Sequence, residues 1–357
     1  MKRDYIIKEG IVYRSVGQPF RYQAWPTVIR DENGTLYAAC SGYRSSHVCP
    51  MGKNLFFISH DGGENWSCPM IINDTWFDDR DAGLTYLGNG RMLLTYFHND
   101  MSLYTGVWRD TRILNTADPT ARGAVEGILN SYDLLPKEEG KGAAYVKISD
   151  NYGMNWSDSI EVPLNSPHGP ILTPSGRLLY FGRLRAGDRW IGLYESFDKG
   201  ESWEYISKVP YLTDGDVGKP FEPHIAELRD GTLVGAIRIE KPEELTIYMT
   251  RSTDGGNTWS VPTPTGIDGA PPHLLVLSDG RLLMSYGRRN HPCGSRAVIS
   301  EDGGVTFGEE YILSEGNSWD LGYPSTVELD DGTLVTVHYQ AYGDDNKTSI
   351  LYTKWKL

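Results

Sequence analysis

Three ionisable side chains stand at one recurring register of this sequence. Asp81, Glu222 and Tyr323 each come immediately before an apolar strand that runs into a tight turn, and the equivalent positions elsewhere hold Trp25, Gly169 and Pro271. If the six strand starts converge on one channel, two carboxyls and a phenol share it. Burying unpaired carboxylates is costly, so such a set makes a poor core and a good site. Trp25, Gly169 and Pro271 read as space-filling, with Trp25 also counted among the groups facing a substrate. Asp81 closes the cluster Asp78-Asp79-Arg80-Asp81. Like charges this close raise at least one pKa, which makes Asp81 a candidate proton donor and sets Asp79 and Arg80 beside the ligand. The competing reading is a turn network in which Arg80 neutralises its neighbours. His47 is the only side chain of its loop, Ser41–Gly52, with a pKa suited to proton transfer near neutrality. His168 lies close to a strand start and is counted with the pocket. His224 and His273 hold equivalent strand positions, where a packed histidine is at least as well explained.

The elements that must position these groups are internal repeats. An octapeptide Ser-x-Asp-x-Gly-x-x-Trp begins at Ser59, Ser196 and Ser252, with weaker copies at Ser149 and Ser300. The acid or amide caps backbone N–H groups, the glycine takes a positive φ, and the aromatic tucks under the turn. Independently, an apolar strand, an Asp/Asn/Ser-Gly turn and a second apolar strand recur six times, starting at Pro26, Ala82, Pro170, Pro223, Pro272 and Pro324. Six inner hairpins and five outer turns predict six blades, the last without its outer turn. After Leu334–Gln340 and Ser349–Trp355 the sixth blade has three strands, so Tyr5–Arg14 is predicted to supply the fourth and remove an edge. The fold class is therefore all-β, a six-bladed β-propeller, read as one domain over residues 1–357. Extra residues, roughly 104–145, enter between the second and third repeat starts. There Asp118-Pro119 reads as N-cap and first helical position, and Ala121, Val125, Ile128 and Leu129 as one apolar face. This predicts a small helical insertion between blades two and three, lying over the propeller or at its rim, or else facing a partner.

Composition agrees. Forty glycines, 22 tyrosines and 10 tryptophans with 39% apolar residues suit short strands, tight turns and amphipathic aromatics. A net charge of −13 argues against nucleic acid, whose binders need a basic stripe, but not against a small anion, which feels the local pocket. Four scattered cysteines form neither a disulfide framework nor a zinc pattern, and no metal or cofactor is implied. No apolar run is long enough to span a bilayer, and Met1–Tyr5 is not followed by a signal-peptide core, which points to a cytoplasmic protein.

The five octapeptides resemble the Asp-boxes of the sialidase superfamily, and the architectural resemblance covers nearly the whole chain. It implies an exo-acting, retaining glycosidase for an acidic sugar. Tyr323, in Gly322-Tyr323-Pro324, is similar to the family's tyrosine nucleophile, and Glu222, in Phe221-Glu222-Pro223, to the glutamate that activates it. Arg238 and Arg296 match two of the three arginines that grip the substrate carboxylate. The residue types suit such a sugar. A carboxylate at the anomeric carbon repels an anionic nucleophile, whereas a phenol with a carboxylate base stays neutral until attack. A guanidinium fork binds both oxygens of a carboxylate. The sequence departs from the family twice. Where a sialidase opens its first blade with Arg-Ile-Pro, this chain has Ala24-Trp25-Pro26, leaving Arg21, Arg30 or Arg44 as substitutes. The loop that carries the family's acidic proton donor has neither Asp nor Glu between Glu32 and Asp61, which leaves His47 or Asp81. These departures suggest a nonulosonate other than the common one, a keto-deoxy sugar or a uronate. A lyase acting on a uronate glycan and a non-catalytic carbohydrate-binding propeller are the competing readings. The oligomeric state is not legible.

Overall fold

The structure, a computed structural model, describes residues 3–185, 187–212, 218–241 and 244–357. Six antiparallel sheets stand around one axis, each starting with the strand nearest it. Blade one comprises Tyr22–Arg30, Leu36–Arg44, Lys53–Ser59 and Met70–Asn73, and blade two Arg80–Gly88, Arg91–His98, Ala143–Ser149 and Ile160–Val162. In blade three the inner strand is split into Leu164–Asn165 and Ile171–Leu172, both pairing with Leu178–Leu184, followed by Ile191–Ser196 and Glu204–Lys208. Blade four comprises Lys219–Glu227, Leu233–Lys241, Glu244–Ser252 and Thr263–Asp268, and blade five Pro272–Val276, Leu282–Arg288, Gly294–Ser300 and Tyr311–Ile312. Blade six is Gly322–Glu328, Leu334–Ala341 and Thr348–Trp355, and its outer strand is the N-terminal Ile6–Tyr13, as the repeat count requires.

Side chains on successive strand residues point to opposite faces, and here both faces meet another blade. In the second strand of blade one, Leu36, Ala38 and Cys40 pack toward Val335, Val337 and Tyr339 of blade six. Tyr37 and Ala39 pack toward Leu84, Met92 and Leu94 of blade two. A strand buried on both faces reads as a continuous apolar run rather than an alternating one, which is why these segments stand out. The outer turns behave as their residues dictate. Asp61 Oδ1 accepts from the Glu64 and Asn65 amides at 3.0 and 2.9 Å, Gly63 has φ 86°, and Trp66 Nε1 donates to Gly63 O at 3.2 Å.

The insertion sits within blade two, between Arg91–His98 and Ala143–Ser149, rather than in the connection to blade three. The ladder from Met92–Ser149 to His98–Ala143 runs unbroken beneath it, so the extra chain leaves and re-enters at one strand end. It holds short helices at Met101–Thr105 and Arg122–Ser131 and a wide helical turn at Arg109–Leu114. Asp118 caps Thr120 N at 3.0 Å, but Asp118 and Pro119 stay in the turn and the helix begins at Arg122. Ala121, Val125 and Leu129 are buried against Val48, Cys49 and Phe77, so the insertion clamps the Ser41–Gly52 loop of blade one. None of the helices among the described residues is long and apolar enough to cross a membrane.

Candidate active site

Four of the six inner strands enter the axis through the same local device, and blade three has a glycine at the same place. Trp25, Asp81, Glu222 and Tyr323 have φ of 55°, 56°, 44° and 47°, and Gly169 has 78°. The strand register slips at the four non-glycine positions, between Ala24 and Thr27, Arg80 and Gly83, Phe221 and His224, and Gly322 and Ser325. A bulge with one left-handed residue re-aims a side chain, and for a non-glycine residue it costs on the order of 1–3 kcal/mol. Four such residues around one ring are a concentration of strain at the axis.

Two of them meet. The Tyr323 hydroxyl donates to Glu222 Oε1, while Arg238 donates to Glu222 Oε2 and, through its other nitrogen, to Glu240. Burial alone would raise the Glu222 pKa, but Arg238 and Arg289 outweigh it and hold the carboxyl below its ordinary value. Burial, reinforced by the Glu222 charge, pushes the Tyr323 phenol well above 10. The pair is thus a neutral phenol bonded to an ionised base. Glu222, Asp81, Arg80 and Arg238 line a cavity of about 300 Å³. Tyr323, 5% exposed, lies outside its wall and meets it through the hydroxyl on Glu222.

Asp81 lines the same cavity, and its carboxyl accepts no hydrogen bond among the described residues. Burial first and the Glu222 charge second push its pKa up to about 7 against Arg80 and Arg44. His47 lines the cavity too, with Nδ1 3.0 Å from Asp320 Oδ1 and 2.9 Å from the Tyr22 hydroxyl. Burial lowers its pKa despite Asp320. Both proton-transfer candidates therefore face one space.

Other expectations are corrected. Arg296 belongs to the third strand of blade five; it is buried, donates to the carbonyls of Ser295 and Pro292 at 3.0 Å, and pairs with Glu310 at 3.3 Å. It is structural. Blade five instead brings Arg289, whose Cζ is 5.4 Å from the Tyr323 ring centre and whose Nε and Nη2 are buried without a partner. Arg44 is fully buried on Asp78, which also takes Arg80 at 3.1 Å and the Tyr104 hydroxyl at 2.7 Å. Arg44 is therefore a strut rather than a ligand. Arg21 pairs with Asp345 and Arg30 with Asp330, so neither fills the missing first-blade place. Arg80 does reach the cavity, its Cζ 4.2 Å from the Trp25 ring centre. Trp25, 1% exposed, is a floor under Arg80 and Arg44 rather than a contact surface. Asp79 is spent within the connection from blade one to blade two, accepting from Thr75 N and Oγ1 at 2.8 and 2.7 Å. His168 meets His224 and His273 edge-on, with ring centres 5.6 and 5.0 Å away, while those two stack on each other, and all three face a separate cavity whose wall also carries Thr27 and Leu274. Among the described residues no His, Cys, Asp and Glu side chains gather as a metal-ligand set.

Sequence reasoning missed Arg289, Asp320, Arg183, Arg185 and Glu240. For Arg183, Arg185 and Glu240 the signal is parity. At the axial ends of the second strands, alternate residues line the cavity: Phe97 and Asn99, Arg183 and Arg185, Arg238 and Glu240.

A family model described as BNR repeat-like domain matches residues 132–337, and one described as BNR/Asp-box repeat matches residues 57–67. A protein of unknown function from Dyadobacter fermentans is similar at a TM-score of 0.77 with 24% identity, over 99% of this chain and 98% of that one. The NanB sialidase from Streptococcus pneumoniae is similar at 0.70 with 14% identity, over 97% and 70%. The alpha-L-arabinanase of Penicillium chrysogenum, complexed with arabinobiose, is similar at 0.65 with 15% identity, over 97% and 98%. A search of curated proteins finds no match.

Proposed function

The chain belongs to the BNR repeat-like domain family, with the sialidase-like propeller fold, and from that premise we propose a retaining, exo-acting glycoside hydrolase for a carboxylate-bearing sugar. The observation that carries this reading is the chain Tyr323–Glu222–Arg238 beside the unpartnered guanidinium of Arg289. Arg238 and Arg289 hold the substrate carboxylate. The Tyr323 oxygen attacks the anomeric carbon as its proton passes to Glu222, and the leaving oxygen takes the proton of Asp81. The product of this half-reaction is a tyrosyl glycoside, with the phenol oxygen bonded to the anomeric carbon. Water then attacks that carbon, giving its proton to the Asp81 carboxylate, while the tyrosine oxygen leaves and recovers its proton from Glu222. Three groups thus divide the work by environment: a phenol kept neutral, a base kept ionised by arginines, and an acid kept protonated by burial.

Tyr323→Phe and Glu222→Gln test it. Each is expected to lower kcat by at least about a hundredfold with folding intact, and the double variant to lose little more than either single one. A fluorinated acidic sugar should leave its mass on Tyr323. Full turnover in Tyr323→Phe overturns the mechanism. Elimination on a uronate is the second reading, favoured by His47, which Asp320 orients at the same cavity. A new ultraviolet-absorbing double bond in the product would identify it.

A further inference from the structure

The cavity carries more positive charge than one carboxylate requires. Arg238 is answered by Glu222 and Glu240, and Arg80 by Asp78. Arg183 and Arg185, at the axial end of the second strand of blade three, also line the wall, and neither pairs with a carboxylate among the described residues. Arg183 donates only to the Arg189 carbonyl at 3.1 Å, and Arg185 only to the His98 carbonyl at 3.3 Å. The Nε of Arg185 is buried without a partner. Both guanidiniums are set by aromatic faces, Arg183 with Cζ 4.2 Å from the Phe221 ring centre and Arg185 with Cζ 5.5 Å from that of Phe97. Arg112 of the insertion, 5.4 Å from the Trp108 ring centre, adds a further cation to this wall that pairs with no carboxylate among the described residues.

Two half-buried cations side by side repel each other. Burial, with Arg189 and the neighbouring arginine, holds Arg183 below its ordinary pKa, and burial with Arg189 does the same to Arg185. Such a pair is relieved by an anion that accepts from both forks. The same Phe221 ring also carries Arg238, whose Cζ is 5.8 Å from the ring centre. The arginine pair of blade three and Arg238 of blade four are therefore neighbours that share one aromatic ring on the cavity wall.

We propose that the ligand of this cavity carries two anionic groups, a carboxylate held by Arg238 and Arg289 and a second, carboxylate or sulfate ester, held by Arg183 and Arg185. This rests on the reading of the cavity as an acidic-sugar site. It adds that the substrate is a doubly charged unit of an acidic glycan, with Phe221 beside both charges.

Calorimetry at constant ionic strength tests it with two pairs of probes. One pair is N-acetylneuraminic acid and disialic acid, which differ by one carboxylate-bearing sugar residue. The other is the unsaturated chondroitin disaccharide and its monosulfated forms, which differ by a sulfate. In at least one pair the doubly charged member is expected to bind about tenfold more tightly or better. In Arg183→Gln/Arg185→Gln that ratio should fall to near one, and the pair that shows the effect names the second group. If the double variant does not fold, each single variant is read in the same way. Equal affinities within both pairs, no binding by any probe, or a preference that survives the variants overturns the proposal. Turnover is not needed for this readout, so full activity in Tyr323→Phe, which would sink the glycosidase mechanism, is a separate result.

Discussion

Replacing Asp81 by Asn asks whether this carboxyl really holds a proton at neutral pH. The folded protein raises its pKa to about 7 from 3.8, through burial and the Glu222 charge. Between those values the folded state keeps a proton that the unfolded chain has already released. Unfolding therefore releases a proton in that window, and the stability contributed by this group falls as pH rises. At about 1.4 kcal/mol per unit, the loss is on the order of 4 kcal/mol by neutrality and flat above it. Asn cannot ionise, so the variant escapes the loss. Asp79, likewise raised to about 7, titrates in both proteins and drops out of the difference. The assay is urea unfolding of both proteins from about pH 4 to 8, with the wild-type curve falling relative to the variant by that amount. The same carboxyl should set the alkaline limb of kcat/KM near pH 7. In kcat/KM, which reports the first half-reaction, Asp81→Asn should lose about a hundredfold or more on a sugar leaving group, whereas a nitrophenol, which leaves without a proton, should be spared there and show the loss only in the water-attack step. Parallel stability curves would refute the raised pKa. If His47→Asn, and not Asp81→Asn, produced the leaving-group pattern, the proton donor would be His47.

Three further outcomes follow from the fold and the site. Arg289→Lys should weaken binding of a carboxylate-bearing sugar by about tenfold or more, since Lys lacks the bidentate fork. Arg296→Lys should lower thermal stability through its lost carbonyl bonds and leave the calorimetric affinity nearly unchanged; equal losses of affinity in both variants would contradict the assignment. Removing residues through Arg14 strips the outer strand of blade six, with the packing of Tyr5 against Tyr311 and Trp355. The melting temperature should fall by more than about 5 °C, and a truncated protein that melts with the intact one would show that this strand closes nothing.

Sequence alone determined the six blades, the strand donated by the N-terminal segment and the register of Asp81, Glu222 and Tyr323. The reason is that these features are local. Asp31 accepts from Asn33 N and Thr35 N in its own turn, and Asp302 from Val305 N and Thr306 N in its own, so each turn announces itself without reference to the rest of the chain. The bulged residue recurs at the head of four of the six inner strands because those blades reach the axis in the same way. Only the tertiary structure decided which charges are free there. Arg296 and Arg289 differ by seven positions in sequence, yet one is spent on backbone carbonyls and the other stands unpartnered beside Tyr323. Arg44 and Asp78 find each other across two blades, as do His47 and Asp320 from blade one and the approach to blade six. Asp78 consumes one arginine entirely and leaves another at the wall, which no composition or spacing records. Ion pairing depends on distances set by how the blades close around the axis, and a charge that folding leaves unanswered is visible only after that closure.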